Sequence, residues 1–324
     1  MLIVQNFGGS SIADGDRLRR AAGICMRQRQ NGNEVVVVVS AMGDTTDLLA
    51  DRARVLGGKP SPREMDALIT TGEQQSAALL VMTMESLGIP AVSLAGWQAG
   101  IYTDCRYGDS DIRLIAPVRI REALSRGRVP VVTGFQGVCA AGDITSLGRG
   151  GSDTTAVALA AALESDCCEI YTDVDGIYTA DPRQIPDAVK LSAIDYRDML
   201  ALAGAGSQVL HAKSVELAMA NSVVIHLLSS FNDAPGSQVR ALRDGSRPDF
   251  AGITRSRTSG EISLAGKAAD AAALSRAVLL LAAEGIEVLS GSVGDGRISV
   301  LVGEAEQPHA MQLLHREMIL DALK

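Results

Sequence analysis

Four short stretches of this chain place residues where they could act on a charged small molecule. Gly8-Gly9-Ser10-Ser11 follows a strand-like run, Leu2 to Val4, so backbone amides with no Cβ in the way can approach an anion closely. The helix that follows would add its positive end. The residue before Phe7-Gly8-Gly9 is Asn6, where a phosphate site would profit from a cation. Leu147-Gly-Arg-Gly-Gly-Ser-Asp-Thr-Thr155 sets Arg149 inside a glycine-rich turn, where its stem has little to pack on and its fork suits carboxylate or phosphate. Ser152 and Asp153 in the same stretch also read as helix caps. Tyr171 to Arg183 runs from a strand end into a polar loop, the place where open α/β sheets take ligands. Asp173 and Asp175 could orient a phosphate-binding group or a metal's water shell there; a solvated turn with Asx hydrogen bonds is the alternative. Thr70-Thr-Gly-Glu-Gln74 carries Glu73 on a helical pattern, by itself an ordinary surface position. Taken singly, Gly8–Ser11 reads as a plain tight turn.

These stretches need a frame, and the hydrophobic pattern supplies one. Leu2–Val4 reads as a short strand, and residues 14–29 as a helix with Leu18, Ala21, Ala22 and Cys25 on one face. Asn31-Gly32-Asn33 closes that helix. Glu34–Val39 is apolar throughout, as in a parallel strand covered on both faces. Helices over 43–56, 63–87 and 111–126, with strands at 91–94 and 129–133, continue the alternation. A small turn or hairpin is expected at 141–145, a helix over 152–164 and a strand at 168–172. Helices near 195–203 and 207–220 lead to a strand at 223–228. The pattern predicts a mostly parallel sheet with helices on both faces, a three-layer αβα sandwich. After Ser229 the texture changes: turns at 231–236, a linker at 244–248, then β-α-β-β-α over the last eighty or so residues. That order matches a ferredoxin-type split βαβ module. The boundaries drawn are 1–242 for the larger domain and 249–324 for a regulatory or dimerisation domain.

Composition narrows the partners. Of 324 residues, 47% are apolar and 21% charged, which is ordinary for a globular protein. A net charge of −8 argues against nucleic acid or an anionic membrane as a bulk partner, and 3% aromatics leave no stacking platform for single strands. The five cysteines contain no C-x-x-C and read as buried thiols in a reducing compartment, and the four histidines are scattered, so no metal ligand is assigned. Met1 runs directly into a strand pattern without a basic or apolar leader, and a cytoplasmic location is expected.

Together the stretches resemble the aspartate kinases of the amino acid kinase superfamily. The likeness is carried by FGGSS, VVVVVSAMGDTTD, TTGEQ, GWQAGIYTD, GFQG, GDITSLGRGGSDTTAVALAAAL, CEIYTDVDGIYTADPR and SSFNDAPGS, over roughly residues 1–240. The resemblance implies the amino acid kinase fold with an ACT-like C-terminal module. It also implies phosphorylation of the aspartate side chain by ATP with Mg²⁺, the first step of the aspartate-family pathway that leads to lysine. By position, Ser40, Thr46, Glu73, Phe135, Arg149 and Ser152 would line the amino acid pocket. Arg149 would clamp the α-carboxylate and Glu73 would answer the α-ammonium. Gly8, Gly9 and Ser10 would face the phosphates. Thr172, Asp173, Tyr178 and Arg183 would hold the nucleotide, and Asp173 would also orient groups near the transferring phosphoryl. A homodimer, or a complex with another kinase chain, is implied as well.

The chain departs from the family pattern at two cations. The usual K-F-G-G begins here with Asn6, and the usual G-A-K-V-L or G-S-K-I-L reads Gly206-Ser-Gln-Val-Leu210, with Gln208 in place of lysine. The catalytic set is then Asn6, Gly9, Asp173 and Arg149, with Gln208 on the nucleotide side. Lys213 reads as a relocated cation or as a plain surface lysine. A slowed aspartate kinase, an inactive binding paralogue and a kinase for another small carboxylate all remain open. In the tail, Gly266-Lys-Ala-Ala-Asp-Ala-Ala-Ala273 lacks the family's Pro-Gly effector turn, which points to assembly rather than lysine or threonine feedback.

Overall fold

The computed structural model describes residues 1–207 and 209–320. Their backbone packs as two compact units: residues 1–175 with 220–235, and residues 176–219 with 236 onward. The sequence boundary near 242–249 lies inside the second unit.

In the first unit β1 (Leu2–Phe7) leads through a 3-10 turn, Gly9–Ile12, to α1 (Gly15–Gln30) and β2 (Glu34–Val39). There follow α2 (Thr45–Arg54), α3 (Pro62–Ile69), α4 (Thr71–Ser86), β3 (Ala91–Leu94), β4 (Ile101–Thr103) and β5 (Ile112–Ile115). The run continues with α5 (Val118–Ser125), β6 (Val129–Thr133), β7 (Gln136–Cys139), β8 (Ile144–Ser146), α6 (Gly151–Leu163) and β9 (Cys167–Thr172). In the second unit lie β10 (Ile177–Tyr178), β11 (Lys190–Leu191), β12 (Ala193–Ile194) and α7 (Tyr196–Gly204); α8 (Ala212–Asn221) leads back to β13 (Ile225–Ser229) of the first. Then come β14 (Ser237–Val239), β15 (Gly252–Arg255), β16 (Glu261–Ala265), α9 (Ala271–Ala283), β17 (Val288–Gly294), β18 (Arg297–Val302) and α10 (Gln307–Leu314).

The first unit's main sheet runs β13-β9-β1-β2-β6-β3, every pair parallel. Val35 to Val39 are all buried, because α1 and α4 cover one face and α6 the other. The expected sandwich is thus present. Asp14 caps α1 by accepting from Arg17 N–H (2.9 Å), and Leu18, Ala21, Ala22 and Cys25 form its buried face. That cap occupies one of the first-turn amides of α1. A second sheet, β5-β4-β7-β8, stands beside the first.

Three expectations differ. The single helix over 63–87 is broken at Thr70, whose carbonyl accepts from Gln136 Nε2 (2.8 Å). Residues 112–115 form a strand paired to β4, and Pro117 holds the start of α5 back to Val118. The helix expected from 207 begins at Ala212, and residue 208 lies outside the described residues.

The second unit holds the antiparallel pair β10-β11, the parallel pair β12-β14 and an antiparallel sheet ordered β15-β16-β18-β17. Its core gathers Phe250, Ile262, Leu264, Leu281, Ile298, Val300 and Leu314. The expected β-α-β-β-α run is β16-α9-β17-β18-α10. The strand that completes the ferredoxin-like sheet, β15, precedes the run instead of closing it. No helix among the described residues is long and apolar enough to cross a membrane.

Candidate active site

The polar stretches converge on the carboxyl ends of β1, β2, β6 and β9, where an open parallel sheet takes its ligands. The glycine turn is built by close approach. Gly8 N–H donates to the Tyr171 carbonyl (3.2 Å), Ser11 N–H to the Gly8 carbonyl (2.9 Å), and Gly43 N–H to the Gly9 carbonyl (3.1 Å). A Cβ on Gly9 would lie 2.5 Å from the Ala41 carbonyl and 3.2 Å from that of Gly43. Gly9 is therefore glycine for space. Tyr171 fixes the same turn: its carbonyl also accepts from Ser11 Oγ (3.1 Å), and its ring stacks on Phe7 at 4.8 Å. Its hydroxyl donates to buried Glu169 (2.9 Å), which also accepts from Gln5 and Gln28. Ser10 is exposed, and its carbonyl accepts from the Arg17 guanidinium (2.6 Å).

Asn6, one residue before this turn, is 1% exposed. Its Nδ2 donates to Asp153 Oδ1 (2.7 Å) and its Oδ1 has no partner. Asp153 therefore does not cap α6. The N-cap of that helix is Gly150, at φ +69, with no side-chain cap bond, which leaves early helical amides open to a ligand. Thr154 and Thr155 turn their hydroxyls back to the carbonyls of Gly150 and Gly151 (3.1 and 2.8 Å). The Asp153 carboxyl is packed round by protein, although the residue keeps some exposed surface, and this burial pushes it up to about 6 against the Asn6 hydrogen bond.

Glu73 lies at the start of α4 and is 3% exposed, not the surface position its pattern suggested. Oε1 accepts from Ala41 N–H (3.2 Å), while Oε2 has no partner. Burial pushes this carboxyl up to about 7, with hydrogen bonds from the backbone of Glu73 and Ala41 pulling the other way. Ser40, partly buried, closes β2 with its N–H on the Phe7 carbonyl (3.1 Å), and Thr46 follows on α2. Across the sheet, Phe135 adopts φ +69, unusual for a bulky residue. Its N–H donates to Thr155 Oγ1 (3.1 Å), and its ring occupies the space a Cβ on Gly151 would need. Gly134 packs as tightly on Ser152: a Cβ there would meet Ser152 Oγ at 2.6 Å. Arg149, between Gly148 and Gly150, is exposed, with no hydrogen-bond or ion-pair partner among the described residues.

Thr172 closes β9, and its hydroxyl donates to the exposed Asp173 (3.1 Å). Asn6, Gly8, Gly9, Ser10, Ser40, Thr46, Glu73, Phe135, Arg149, Ser152, Thr172 and Asp173 all belong to the first unit. Tyr178 and Arg183 belong to the second; there Tyr178 pairs with Lys190 across β10-β11, and the Arg183 guanidinium grips Asp181 (3.0 and 2.9 Å). Gln208 lies outside the described residues, and Lys213 sits on α8 in the second unit.

Three residues of this site carried no assignment from sequence alone. Asp153 stands in a recognised motif but reads as a cap. Thr133 and Gln136 each bury a side-chain oxygen without a partner, as Glu73 and Asn6 do. Gln136 sits in the quoted GFQG; Thr133 gives no signal.

The amino acid kinase family model matches residues 1–229. An aspartokinase of Mycolicibacterium smegmatis is 49% identical over 269 residues, covering 82% of this chain and 64% of that protein. An aspartokinase of Corynebacterium efficiens is 44% identical over 326 residues, covering 97% of this chain and 77% of that protein. The chain thus spans just under two thirds of the length of the former. Among solved structures, Escherichia coli aspartokinase III in complex with aspartate and ADP superposes with a TM-score of 0.85 at 20% identity, covering 98% of this chain and all of that one. Aspartate kinase from Synechocystis superposes with a TM-score of 0.68 at 31% identity, covering 98% and 69%.

Proposed function

Because this chain belongs to the amino acid kinase family, on its aspartokinase branch, we propose that it transfers the γ-phosphoryl group of ATP to the side-chain carboxylate of L-aspartate, giving ADP and 4-phospho-L-aspartate. The observation that carries this reading is Glu73. A buried carboxyl with one oxygen on a backbone amide and the other on nothing calls for a cation, and the α-ammonium of an amino acid is one. Arg149 then takes the α-carboxylate with its unpaired guanidinium. Ser40, Thr46, Phe135 and Ser152 line the pocket and hold the side-chain carboxylate toward the phosphates.

The Gly9 cradle and the uncapped start of α6 suit an anionic phosphate chain, and Gly8, Gly9 and Ser10 are assigned to it, through the amides of Gly9 and Ser10 because Gly8 N–H is held by the Tyr171 carbonyl. Thr172 and Asp173 offer oxygen donors of the kind a Mg²⁺·nucleotide complex meets through water. Bound with the nucleotide, Mg²⁺ would neutralise phosphate charge. Tyr178, Arg183 and Gln208 are assigned to the nucleotide on family resemblance. Positioning and charge balance do the chemical work here, since phosphoryl transfer asks for little covalent help. Residues 1–242 form the catalytic domain in this reading and 249–324 an ACT-like module through which a homodimer forms. The exposed apolar side chains of Leu279 on α9 and Leu289 and Val293 on β17 support that assembly. A cytoplasmic location is part of the proposal.

An assay that traps the acyl phosphate with hydroxylamine tests it: aspartyl hydroxamate must form only with ATP, Mg²⁺ and aspartate together. No product above background at saturating substrates rejects it. Asn6 favours one second reading, a binding paralogue without turnover, because no ammonium neutralises Asp153. That reading expects nucleotide and aspartate each to raise the melting temperature with no hydroxamate formed.

A further inference from the structure

Thr103 on β4 and Cys139 on β7 are register partners in neighbouring parallel strands. Beyond them the two chain segments stay together. Tyr107 Oη donates to Asp143 Oδ2 (2.8 Å), and Cys139 N–H donates to the Asp143 carbonyl (2.9 Å), closing the turn between β7 and β8. Residues 103–107 are thus pinned at both ends along residues 139–143, and Cys105 lies between the pins. Its thiol is an electrostatic neighbour of the Cys139 thiol in that strip. Cys105 is exposed, whereas Cys139 is 3% exposed. The expectation of buried thiols fails outright at Cys105 and in part at Cys167, and Cys105 lies beside a partner.

We propose that Cys105 and Cys139 are a modification site that closes reversibly into an intramolecular disulfide, with a peroxide as the oxidant. The Cys105 thiolate attacks hydrogen peroxide; the O–O bond breaks, a sulfenic acid forms and hydroxide leaves, to be protonated to water. The sulfur of Cys139 then displaces the sulfenic oxygen, which departs as a second water after taking up the Cys139 proton. Two thiols lose two protons and two electrons, and one peroxide becomes two waters. A dithiol reverses the bond by exchange. Exposure divides the labour: the solvent-facing thiol meets the oxidant and the buried one resolves it. Burial, with the neighbouring thiol, raises the Cys139 thiol above its ordinary value, which keeps it from reacting first.

The pair sits one contact away from the Arg149 turn. Ser110 N–H donates to the Ser146 carbonyl (2.8 Å), and buried Asp66 accepts from Gly108 N–H and Ser146 N–H at 2.9 Å each. A Cβ on Gly148 would meet Asp109 Oδ1 at 2.6 Å. A staple at Cys105 therefore acts on the segment whose Asp109 packs against Gly148. The bond itself is independent of the kinase reading; its effect on the acceptor rests on that reading.

The test treats reduced protein with a small excess of hydrogen peroxide, alkylates it and maps peptides without reductant. One intrachain 105–139 crosslink is expected, with accessible and buried thiols together falling from five to three and returning with dithiothreitol. Cys105→Ser, at an exposed position, abolishes it. In the oxidised protein the KM for aspartate rises at least threefold while that for ATP holds. Cys105 advancing to sulfinic acid, or linking two chains, while Cys139 is still alkylated, overturns the proposal. A crosslink that leaves the aspartate KM unchanged overturns the link to the Arg149 turn. Absence of turnover before and after oxidation strikes the kinase reading and leaves the mapping result standing.

Discussion

Replacing Glu73 by glutamine separates the charge of this side chain from its shape. In the free protein the carboxyl is pushed up to about 7 by burial, so it is about nine-tenths protonated at pH 6 and about nine-tenths ionised at pH 8. An α-ammonium binds the ionised form. The KM for aspartate should therefore fall about tenfold between pH 6 and pH 8 and level off above that. Binding at pH 7 should release about half a proton per aspartate, readable by calorimetry in two buffers of different ionisation enthalpy. In Glu73→Gln the pH dependence disappears. The KM rises by about 10²–10³, the cost of leaving one member of a buried ion pair alone.

Stability moves the opposite way. The folded-state value lies above the unfolded one, so between about 4.5 and 7 the native chain binds more protons and loses stability as pH rises. At about 1.4 kcal/mol per pH unit the loss accumulates to roughly 3 kcal/mol. Glu73→Gln is spared it, so the variant should melt higher than wild type at pH 8 and close to it at pH 5. A wild-type KM that is flat from pH 6 to 8, together with an unchanged KM in the variant, would refute the assignment of Glu73 to the ammonium.

Other perturbations test the neighbouring groups. Asn6→Lys places an ammonium beside Asp153 and should return Asp153 toward the ordinary carboxylate range. Hydroxamate formation should rise about 10²–10³-fold, the usual worth of one preorganised charge-stabilising group, and an unchanged rate would show that the rest of the site has drifted. Gly9→Ala forces a Cβ to 2.5 Å from the Ala41 carbonyl and should cost about 1–3 kcal/mol; Gly8→Ala, whose nearest neighbour would be at 3.6 Å, should keep its melting temperature. Leu279→Asp on the exposed face of α9 should shift light-scattering mass toward the monomer and leave far-ultraviolet circular dichroism unchanged; a wild type already monomeric at micromolar concentration would remove that assignment.

Elements whose burial is set by local pattern were legible. The valine run of β2, Val35 to Val39, and the Leu18-Ala21-Ala22-Cys25 face of α1 follow from periodicity and from covering on both sides. What escaped depends on groups distant in the chain. The break at Thr70 is made by the side chain of Gln136, and Glu73 is drawn inward onto the backbone amide of Ala41. Periodicity cannot see either. Asp153 looked like a cap because its spacing is that of a cap; only the strand carrying Asn6, 147 positions away, draws it off. The early strand β15 is short, opens on a glycine and comes soon after Pro248, which hid it.

Charge ties these cases together. The glycine turn and the uncapped start of α6 can cradle phosphates without any side-chain cation, so an uncharged Asn6 is compatible with an occupied site. Asn6 brings Asp153 no counter-charge; burial raises that carboxyl toward neutrality, the Asn6 hydrogen bond pulls the other way, and the amide oxygen of Asn6 has no partner. Near pH 6 that carboxyl is half protonated and adds little repulsion toward phosphate; at pH 8 it is ionised and repels. Nucleotide affinity should therefore weaken with rising pH over the range in which aspartate affinity, governed by Glu73, strengthens. The two carboxyls pull the pH profiles of the two substrates in opposite directions, and Asn6→Lys should flatten the nucleotide profile alone.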